Sequence, residues 1–398
     1  MKFTSLCAAF ALSFAVAPAF AGTAVPAPLQ VAQTHAHDVT LAPHSYVLRE
    51  QGGLLRKGYA IRHEISHPGA DFIKVHFAHV KLPAGAKISV SSRDGKEIYH
   101  YDGRQNTHAT WDSEQGEDGL RRFSAMSVFG DSAIITVHLA AGSKWNERLH
   151  SVKIDHYQAG DMRAQEAQIS PFSTCGANQR RDAVCYASSH PTEYGKSRPV
   201  ARMLINGIAF CSTWRVGPQN LMLTNNHCIS GAAGPSKSEI WFNYQNTKCG
   251  VKGQSGVIKV RGSSMLKTSK ALDYSLYTLN NFSAVSSFGY LSLDVRDAAQ
   301  SERIYIPQHG QGNPKEMALH SDVNSSGMCE IDVPQSGVDT GYKCDTAGGS
   351  SGSPVIAAQS HKVIALHHIG NCPNATNTGV LIKNIWPEIA SYFGNVIP

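Results

Sequence analysis

Three short segments carry residues whose types and spacing could perform acyl transfer. The segment 344–354, Cys-Asp-Thr-Ala-Gly-Gly-Ser-Ser-Gly-Ser-Pro, places Ser351 among glycines. A sharp turn there can expose the serine hydroxyl and aim backbone N–H groups at one point. His227 follows Leu-Thr-Asn-Asn, and Asp273 lies in Leu-Asp-Tyr-Ser-Leu. A base, an acid and a nucleophile are therefore present along the chain in the order His227, Asp273, Ser351.

These residue types predict a division of labour for peptide-bond hydrolysis. A serine hydroxyl needs a base within hydrogen-bond reach, and the base needs an orienting partner. We expect His227 to take the proton of Ser351, and Asp273 to hold the imidazole tautomer and stabilise the imidazolium. The amides of Gly349 and Ser351 would bind the oxyanion. The order His, Asp, Ser is that of chymotrypsin and not of subtilisin or α/β-hydrolases. The sequence thus predicts a serine endopeptidase that uses no cofactor.

A second serine motif overlaps the first and predicts a different enzyme class. Residues 348–352 match G-x-S-x-G with Ser350 at the centre. An α/β-hydrolase would then need an acid and a histidine downstream, in that order. The first acid after this motif is Glu388, and it follows the last histidine, His368. The hydrolase interpretation is therefore excluded.

The composition limits the partners and the location of the chain. Its 36 Lys and Arg against 30 Asp and Glu give a net charge of +6, and the basic residues are scattered. Nucleic-acid binding would need a concentrated basic stripe, which is absent. The apolar run 6–17 after Lys2, followed by Ala-Phe-Ala at 19–21, predicts a secretory signal peptide over residues 1–21. We expect a secreted monomer that binds neither nucleic acid nor a membrane.

The cysteines divide the chain into two parts. Eight remain after removal of the signal peptide, and all of them lie at or beyond residue 175: Cys175, Cys185, Cys211, Cys228, Cys249, Cys329, Cys344 and Cys372. An even number in an exported chain indicates disulfides, although their pairing does not follow from the sequence. A cysteine-free N-terminal part is thus expected before a disulfide-bearing C-terminal part.

The hydrophobic pattern suggests how these parts are organised. Residues 22–45 show no periodicity and are expected to form an unstructured lead-in. Residues 46–158 contain apolar and polar residues in alternation, as in Ile-Lys-Val-His-Phe-Ala at 73–78, which predicts half-buried strands and a small β-sandwich. Residues 159–174 are expected to be a linker with a processing site. Residues 175–398 contain short strands between Gly, Asn and Ser turns, and would form the peptidase domain.

The C-terminal part resembles a known family of enzymes. Residues 175–398 are similar to chymotrypsin-fold secreted bacterial serine peptidases, most of all to lysyl endopeptidases. Besides the order of the catalytic residues, the resemblance rests on the positions of the cysteines around His227 and on Asn-Tyr-Gln-Asn at 243–246 before a cysteine. It implies an all-β fold with two antiparallel barrels. It also implies the disulfides Cys175–Cys372, Cys185–Cys249, Cys211–Cys228 and Cys329–Cys344.

One departure from chymotrypsin-like zymogens concerns activation. Those enzymes carry an aspartate directly before the nucleophile, where it pairs with the newly freed N-terminus, but this chain has Ser350. We therefore expect no such switch. Residues 46–158 would instead be a propeptide that assists folding or blocks the cleft until it is cleaved. The alternative is a permanent accessory domain. The expected partners are thus protein or peptide substrates and the chain's own propeptide.

The residues around the serine leave two substrate preferences open. Asp345 lies six positions before Ser351, where trypsin-like enzymes carry the carboxylate that binds a basic P1 side chain. The second acid of lysyl endopeptidases is missing from residues 373–378, so arginine would be accepted as well as lysine. The alternative is a preference for acidic P1 residues, because glutamyl endopeptidases share Thr346 and His367. Cleavage after Arg163 or after Glu166 in the linker would mark self-processing with one preference or the other.

The adjacent histidines and the complete set of catalytic residue types each lead to a further expectation. His367 and His368 have no acid or cysteine at metal-ligand spacing, so no metal site is predicted. A competing class is a secreted binding protein that keeps the fold without the chemistry. The presence of all three catalytic residue types argues against that class.

Overall fold

The structure is a computed structural model that describes residues 27–42, 44–49, 55–104, 107–140, 143–160, 173–254 and 256–398. The predicted signal peptide and the predicted cleavage positions after Arg163 and Glu166 lie outside these ranges. Within them, no helix has the length and apolar character needed to cross a membrane.

The N-terminal part is built almost wholly of strands. In chain order they are β1 (Leu29–Gln30), β2 (Ala32–Leu41), β3 (His44–Arg49), β4 (Leu55–Ser66), β5 (Phe72–Lys81), β6 (Lys87–Ser92), β7 (Ile98–Tyr101), β8 (Ala109–Thr110), β9 (Phe123–Ala125), β10 (Val128–Phe129), β11 (Ser132–His138) and β12 (Ser151–Gly160). One sheet has the order β2-β12-β5-β9-β8, with β10 also paired to β5, and the other has the order β3-β4-β11-β6-β7. Val75, Phe77, Val90 and Ile135 lie in the buried core that both sheets share. This is the predicted β-sandwich.

The expectation of an unstructured lead-in over residues 22–45 is wrong for its described part. Residues 29–30 and 32–41 form β1 and β2, and β2 pairs with β12 along most of its length. The sequence of β2, Ala-Gln-Thr-His-Ala-His-Asp-Val-Thr-Leu, is mostly polar and only its last residue is buried. Such an edge strand is held by backbone hydrogen bonds, so it lacks the apolar alternation by which strands are recognised.

The strand β5 differs from its predicted half-buried pattern because its polar face is also covered. Lys74 and His76, which alternate with the apolar residues, are each 1% exposed. Lys74 forms a buried ion pair with Glu239 of the C-terminal part. The polar face of β5 is thus covered by the C-terminal part at Lys74 and by Glu117 and Asp155 at His76, contacts that strand periodicity does not reveal.

The C-terminal part contains two α-helices, five short 3-10 helices and fourteen strands in its described residues, and the α-helices and strands position the site. They are β13 (Arg181–Asp182), α1 (Pro191–Lys196), β14 (Val200–Ile205), β15 (Ala209–Arg215), β16 (Met222–Thr224), β17 (Ser238–Phe242), β18 (Ile258–Ser269), β19 (Tyr274–Leu279), β20 (Ile304–Gln308), β21 (Glu316–Ala318), β22 (Ile331–Ser336), β23 (Asp339–Tyr342), β24 (Pro354–Ala357), β25 (Val363–Ile369), β26 (Asn377–Leu381) and α2 (Ile382–Ile389).

These strands form two antiparallel units, as the resemblance implied. The first has the order β15-β14-β17-β18-β19-β16 and closes into a six-stranded barrel because β16 also pairs with β15. The second has the order β13-β21-β20-β24-β25-β26-β23-β22. It curls back on itself, since the amide of Ile304 at the start of β20 donates to Cys329 O, 2.9 Å away, just before β22. The fold is therefore the predicted all-β, two-barrel chymotrypsin-like architecture behind a small sandwich.

The sandwich contacts the first barrel through buried charges and one added strand. Glu239 on β17 is fully buried and accepts hydrogen bonds from Ser127 Oγ at 2.6 Å and Trp241 Nε1 at 2.9 Å. Burial would raise the pKa of Glu239, but the charges of Lys74 and Lys259 outweigh burial and lower it. Strand β1 pairs with β15, so residues from the start of the chain extend the sheet of the first barrel.

Candidate active site

The predicted base and its orienting acid lie together. His227 follows β16, and Asp273 directly precedes β19, which pairs with β16. His227 Nδ1 donates to Asp273 Oδ2 at 2.8 Å, and the backbone N–H of His227 donates to Asp273 Oδ1 at 3.0 Å. Both carboxylate oxygens are thus engaged by one residue. This fixes the tautomer in which Nδ1 carries the proton and leaves Nε2 to accept one.

The environment of Asp273 keeps its carboxyl group ionised. Burial by itself would raise the pKa of Asp273, but the contacts with His227 and His368 outweigh burial and lower the pKa to about 2. Asp273 is only 5% exposed and has a φ of 43°. Asp and Asn are among the few residues that adopt this left-handed conformation readily. The chain therefore holds a buried anion at a backbone position suited to a carboxylate or amide side chain.

The predicted nucleophile lies on a turn between β23 and β24. The carbonyl of Ser351 accepts the amide of Ser212 on β15 at 2.8 Å, which ties the turn to the first barrel. Gly352 has a φ of 86°, and a Cβ there would lie 2.2 Å from Ser212 O. Only glycine permits that approach. The local sequence thus places Ser351 at the junction of the barrels.

The turn also leaves two amides free. Gly349 has a φ of 91°, and a Cβ on it would meet His309 O at 2.9 Å. Within the described ranges, the amide N–H groups of Gly349 and Ser351 donate to no acceptor. Unpaired backbone donors beside a serine are the arrangement that stabilises an oxyanion.

The turn places the serine near the histidine without a hydrogen bond between them. The disulfide-bonded Cys228, adjacent to His227, has its Sγ 3.9 Å from Ser351 O. His227 Nε2 is buried and has no hydrogen-bond partner in the described part of the chain. Such contacts are often long before substrate binds and tighten in the reacting complex.

Ser350, the central serine of the rejected hydrolase motif, has a structural role. Its side chain is fully buried and donates from Oγ to Gln308 Oε1 at 2.5 Å. Ser350 Oγ also accepts a hydrogen bond from the amide of Ala347 at 3.0 Å. These bonds brace the turn that carries Ser351.

Asp345 binds the beginning of the C-terminal part. Its Oδ1 accepts the amide of Cys175 at 2.8 Å, and its Oδ2 accepts the amide of Gln179 at 2.6 Å. Asp345 is fully buried, and this burial raises its pKa despite the two amide bonds. Its contacts are those of an anchor. They give no support to the prediction that it binds the P1 side chain.

The other two predicted specificity residues are buried near the serine turn. Thr346 Oγ1 has no hydrogen-bond partner among the described residues. His367 on β25 has its Nδ1 2.7 Å from Tyr342 Oη. Burial, followed by the charges of His368 and His227, lowers the pKa of His367 to about 3. At neutral pH, His367 is thus an uncharged imidazole.

Sequence reasoning missed His368. The side chain of this residue is 8% exposed and lies between two carboxylates, with Nδ1 3.4 Å from Asp273 Oδ2 and Nε2 3.2 Å from Asp339 Oδ2. Burial would lower the pKa of His368, but Asp273 and Asp339 outweigh burial and raise it to about 9. The three residues are far apart in sequence, so no spacing signal could have found them.

Sequence reasoning also missed a segment beside the serine turn. Leu29 pairs with Phe210 and Gln30 with Ala209, while the amide of Val31 donates to Ile208 O at 2.7 Å. A Cβ on Gly348, three residues before the nucleophile, would lie 3.5 Å from Leu29 Cβ. The first described residues of the chain therefore reach the candidate active site.

The eight cysteines form four disulfides in the structure. The pairs are Cys175–Cys372, Cys185–Cys249, Cys211–Cys228 and Cys329–Cys344. These are the pairs that the family resemblance implies. Cys211–Cys228 joins β15 to the residue after His227, so it helps to position the base.

Comparison with known proteins assigns the family. Residues 175–380 match the family model described as "Lysyl endopeptidase, C-terminal domain". The chain belongs to the lysyl endopeptidase family. Over 337 residues it is 31% identical to "Secreted RxLR effector protein 73" of Plasmopara viticola, covering 81% of this chain and 80% of that protein. It is also 31% identical over 164 residues to "Uncharacterized protein y4fB" of Sinorhizobium fredii, and this match covers 39% of the chain but 24% of that longer protein.

Solved structures with a similar arrangement include serine proteases. A Glu endopeptidase in complex with MPD matches with a TM-score of 0.41 and 17% identity, covering 56% of this chain and all of that one. A scabies mite inactivated protease paralogue matches with a TM-score of 0.38 and 10% identity, covering 51% of this chain and 95% of that one. Neither likeness bears on the activity of this family member.

Proposed function

We propose that this chain is a secreted serine endopeptidase that hydrolyses peptide bonds through an acyl-enzyme. The observation that carries the proposal is the His227–Asp273 hydrogen bond beside a turn that presents Ser351 with two unpaired amides. Membership of the lysyl endopeptidase family supports a peptidase. Four disulfides and a relative named as secreted support export.

The proposed reaction uses each residue in turn. Ser351 Oγ attacks the scissile carbonyl carbon while its proton passes to His227 Nε2. The amides of Gly349 and Ser351 bind the oxyanion, and Asp273 stabilises the imidazolium. His227 then protonates the leaving amine, and the acyl-enzyme forms. Water attacks this ester with His227 as base, which releases the acid and restores the serine. The described residues supply every proton transfer without a cofactor.

For the P1 residue, we propose lysine or arginine. The family match supports this preference, whereas the contacts of Asp345 do not. A panel of peptides that differ only in having Lys, Arg, Glu or Leu at P1 tests it, with cleavage positions read by mass spectrometry. Selective cleavage after Lys and Arg is expected. Cleavage of none of the peptides by the processed enzyme would count against the peptidase proposal as a whole.

A second candidate is a preference for glutamate at P1. It is favoured by the buried and unpartnered hydroxyl of Thr346, which could donate to a carboxylate. The neutral imidazole of His367 weakens this alternative because it supplies no positive charge in the free enzyme. Dominant cleavage after Glu in the same panel would establish it.

A substitution at Asp345 separates anchoring from specificity. Asp345→Asn replaces one acceptor by an NH₂ group that faces an amide donor, so we expect a loss of about 1–3 kcal/mol in the free energy of unfolding. The ratio of kcat/KM for Lys and Leu peptides should change less than about twofold. Denaturant unfolding and peptide kinetics measure the two effects. A large loss of Lys selectivity with unchanged stability would show instead that Asp345 binds P1.

We further propose that the N-terminal part is a propeptide that blocks the cleft. The predicted specificity residues Thr346 and His367 belong to the second barrel, whereas β1 pairs with β15 of the first barrel. Leu29 would therefore cover the side of Ser351 on which the leaving group of a substrate lies. The antiparallel pairing of β1 with β15 is the way an extended peptide adds to a sheet edge.

Disrupting β1 should release this block. Val31→Pro removes the N–H that donates to Ile208 O, whereas Val31→Ala keeps it. In the unprocessed chain, Val31→Pro should raise cleavage of peptides that extend beyond the scissile bond by about fivefold, since a lost hydrogen bond is worth roughly 1 kcal/mol. Val31→Ala should have a smaller effect. Hydrolysis of esters with a small leaving group should not change. Equal rates for the two variants on long peptides would contradict the block.

A further inference from the structure

The carboxylate of Asp273 is shared between two imidazoles. His227 Nδ1 lies 2.8 Å from Asp273 Oδ2, and His368 Nδ1 lies 3.4 Å from the same oxygen. The second nitrogen of His368 lies 3.2 Å from Asp339 Oδ2 on β23. Both ring nitrogens thus face a carboxylate oxygen, and only the doubly protonated ring can present N–H to both.

These contacts are electrostatic ones. The distances are short enough for hydrogen bonds, but neither nitrogen of His368 has a partner with hydrogen-bond geometry among the described residues. A buried ion pair exerts its effect with little screening by solvent. The titratable groups that interact with this imidazole are Asp273, Asp339 and His367. His227 shares the Asp273 carboxylate with it, and Tyr342 lies beside His367. Among them, the two carboxylates are the groups that attract a cation at this ring.

We propose that His368 is a positioning residue for the reaction: as a cation between Asp339 and Asp273, it fixes the Asp273 carboxylate against His227 and shares its charge. This inference rests on the proposed peptidase function. Because the charge of Asp273 is partly balanced by the cation on His368, Asp273 stabilises a positive charge on His227 less strongly than it would alone. His227 therefore remains available as a base at lower pH than it would beside Asp273 alone. The cation on His368 thus extends the active range of the enzyme towards acid.

Two substitutions of His368, one that removes its positive charge and one that keeps a positive charge, test this role. His368→Gln keeps a polar side chain without charge, and His368→Lys keeps a positive charge. The acid limb of the kcat/KM profile should move up by about 1–2 pH units in the Gln variant, the scale expected for one charge near the base at an effective dielectric of about 20–40. It should stay near the wild-type position in the Lys variant. KM should change less than kcat in both.

A matched control removes a histidine from the same hairpin. His361 lies in the turn before β25, and its ring contacts Tyr305 away from the proposed catalytic residues. Its φ of 52° suits asparagine, so His361→Asn is the control variant. Its acid limb should equal that of the wild type. If His368 had a purely structural role, the Gln variant would lose activity by the same factor at every pH. An acid limb of the His368→Gln variant that coincides with that of the wild type therefore overturns the proposal.

Failure of this inference and failure of the peptidase function give different results in a labelling experiment. The rate of serine labelling by a fluorophosphonate, measured from pH 5 to pH 9 on processed enzyme, follows nucleophile activation without a known substrate. Labelling with an unshifted limb in the Gln variant rejects the role of His368 alone, whereas no labelling of the wild type rejects the peptidase.

A measurement on the wild type covers the case in which the variants do not fold. The ¹⁵N NMR shifts of His368 should show both ring nitrogens protonated at pH 7.5. A neutral His368 ring at that pH overturns the inference irrespective of activity.

Discussion

Replacement of Ser351 by alanine is expected to lower kcat by about six orders of magnitude, the size of the loss when a triad serine is removed elsewhere. The acyl-enzyme cannot form without Oγ, and His227 and Asp273 then have no nucleophile to activate. The fold should persist, because the carbonyl of Ser351 that binds Ser212 belongs to the backbone. Peptide hydrolysis by the processed protein, with circular dichroism for folding, measures the result.

Ser353 provides the matched control for this substitution. It is a buried serine two residues further along, and its Oγ has no hydrogen-bond partner in the described part of the chain. Ser353→Ala should therefore keep most of the activity. Comparable activity of the Ser351→Ala and Ser353→Ala variants would remove Ser351 from the mechanism.

The second large effect is expected from Asp273→Asn, which should lower kcat by about four orders of magnitude with little change in KM. An amide can donate to His227 Nδ1, which stabilises the tautomer with the proton on Nε2, and that nitrogen then cannot accept the proton of Ser351. The variant removes the charge that stabilises the imidazolium as well. The side chains have the same shape, and asparagine adopts the φ of 43° found at this position.

The fold of the Asp273→Asn variant should nevertheless remain intact, with some loss of stability because His368 loses one of its two carboxylates. Kinetics on P1-matched peptides and a thermal melt together measure both effects. A loss below about tenfold in kcat would mean that Asp273 does not orient the base, because the orienting acid in a triad contributes far more.

The sequence indicated the residues of the candidate site more readily than their surroundings. Ser351, His227 and Asp273 could be proposed because nucleophile, base and acid each require one residue type in a recognisable local context. The glycines at 349 and 352 indicated a tight turn, and the structure shows the backbone approaches that require them. A candidate nucleophile turn of this kind is encoded within a few residues, so one sequence suffices to propose it.

Contacts between distant segments could not be predicted in this way. His368 meets Asp273 and Asp339 because β25, β23 and the segment before β19 converge at the junction of the barrels. Asp345 has the spacing of a specificity residue, yet its carboxylate binds amides at the start of the domain. The direction in which a buried side chain points depends on the packing of other elements, and sequence spacing does not carry that information.

The polar strands escaped prediction for a related reason. Strand β2 is an exposed edge strand, and β1 contributes only two residues to the sheet of the first barrel. Their stability comes from backbone pairing with β12 and β15. Hydrophobic alternation reports burial and not pairing, so it predicted the core of the sandwich and missed the segment that reaches the active site.

The central claim is that Ser351 is an activated nucleophile, and covalent labelling tests it most directly. The protein, with its N-terminal part cleaved at the linker, is incubated with a fluorophosphonate beside its Ser351→Ala variant, and intact mass and peptide mapping locate the adduct. We expect one adduct per molecule on Ser351, abolished in the variant and slowed by acid. An unmodified wild-type protein that is folded and free of its N-terminal part would contradict the account and favour a secreted binding protein on a peptidase fold.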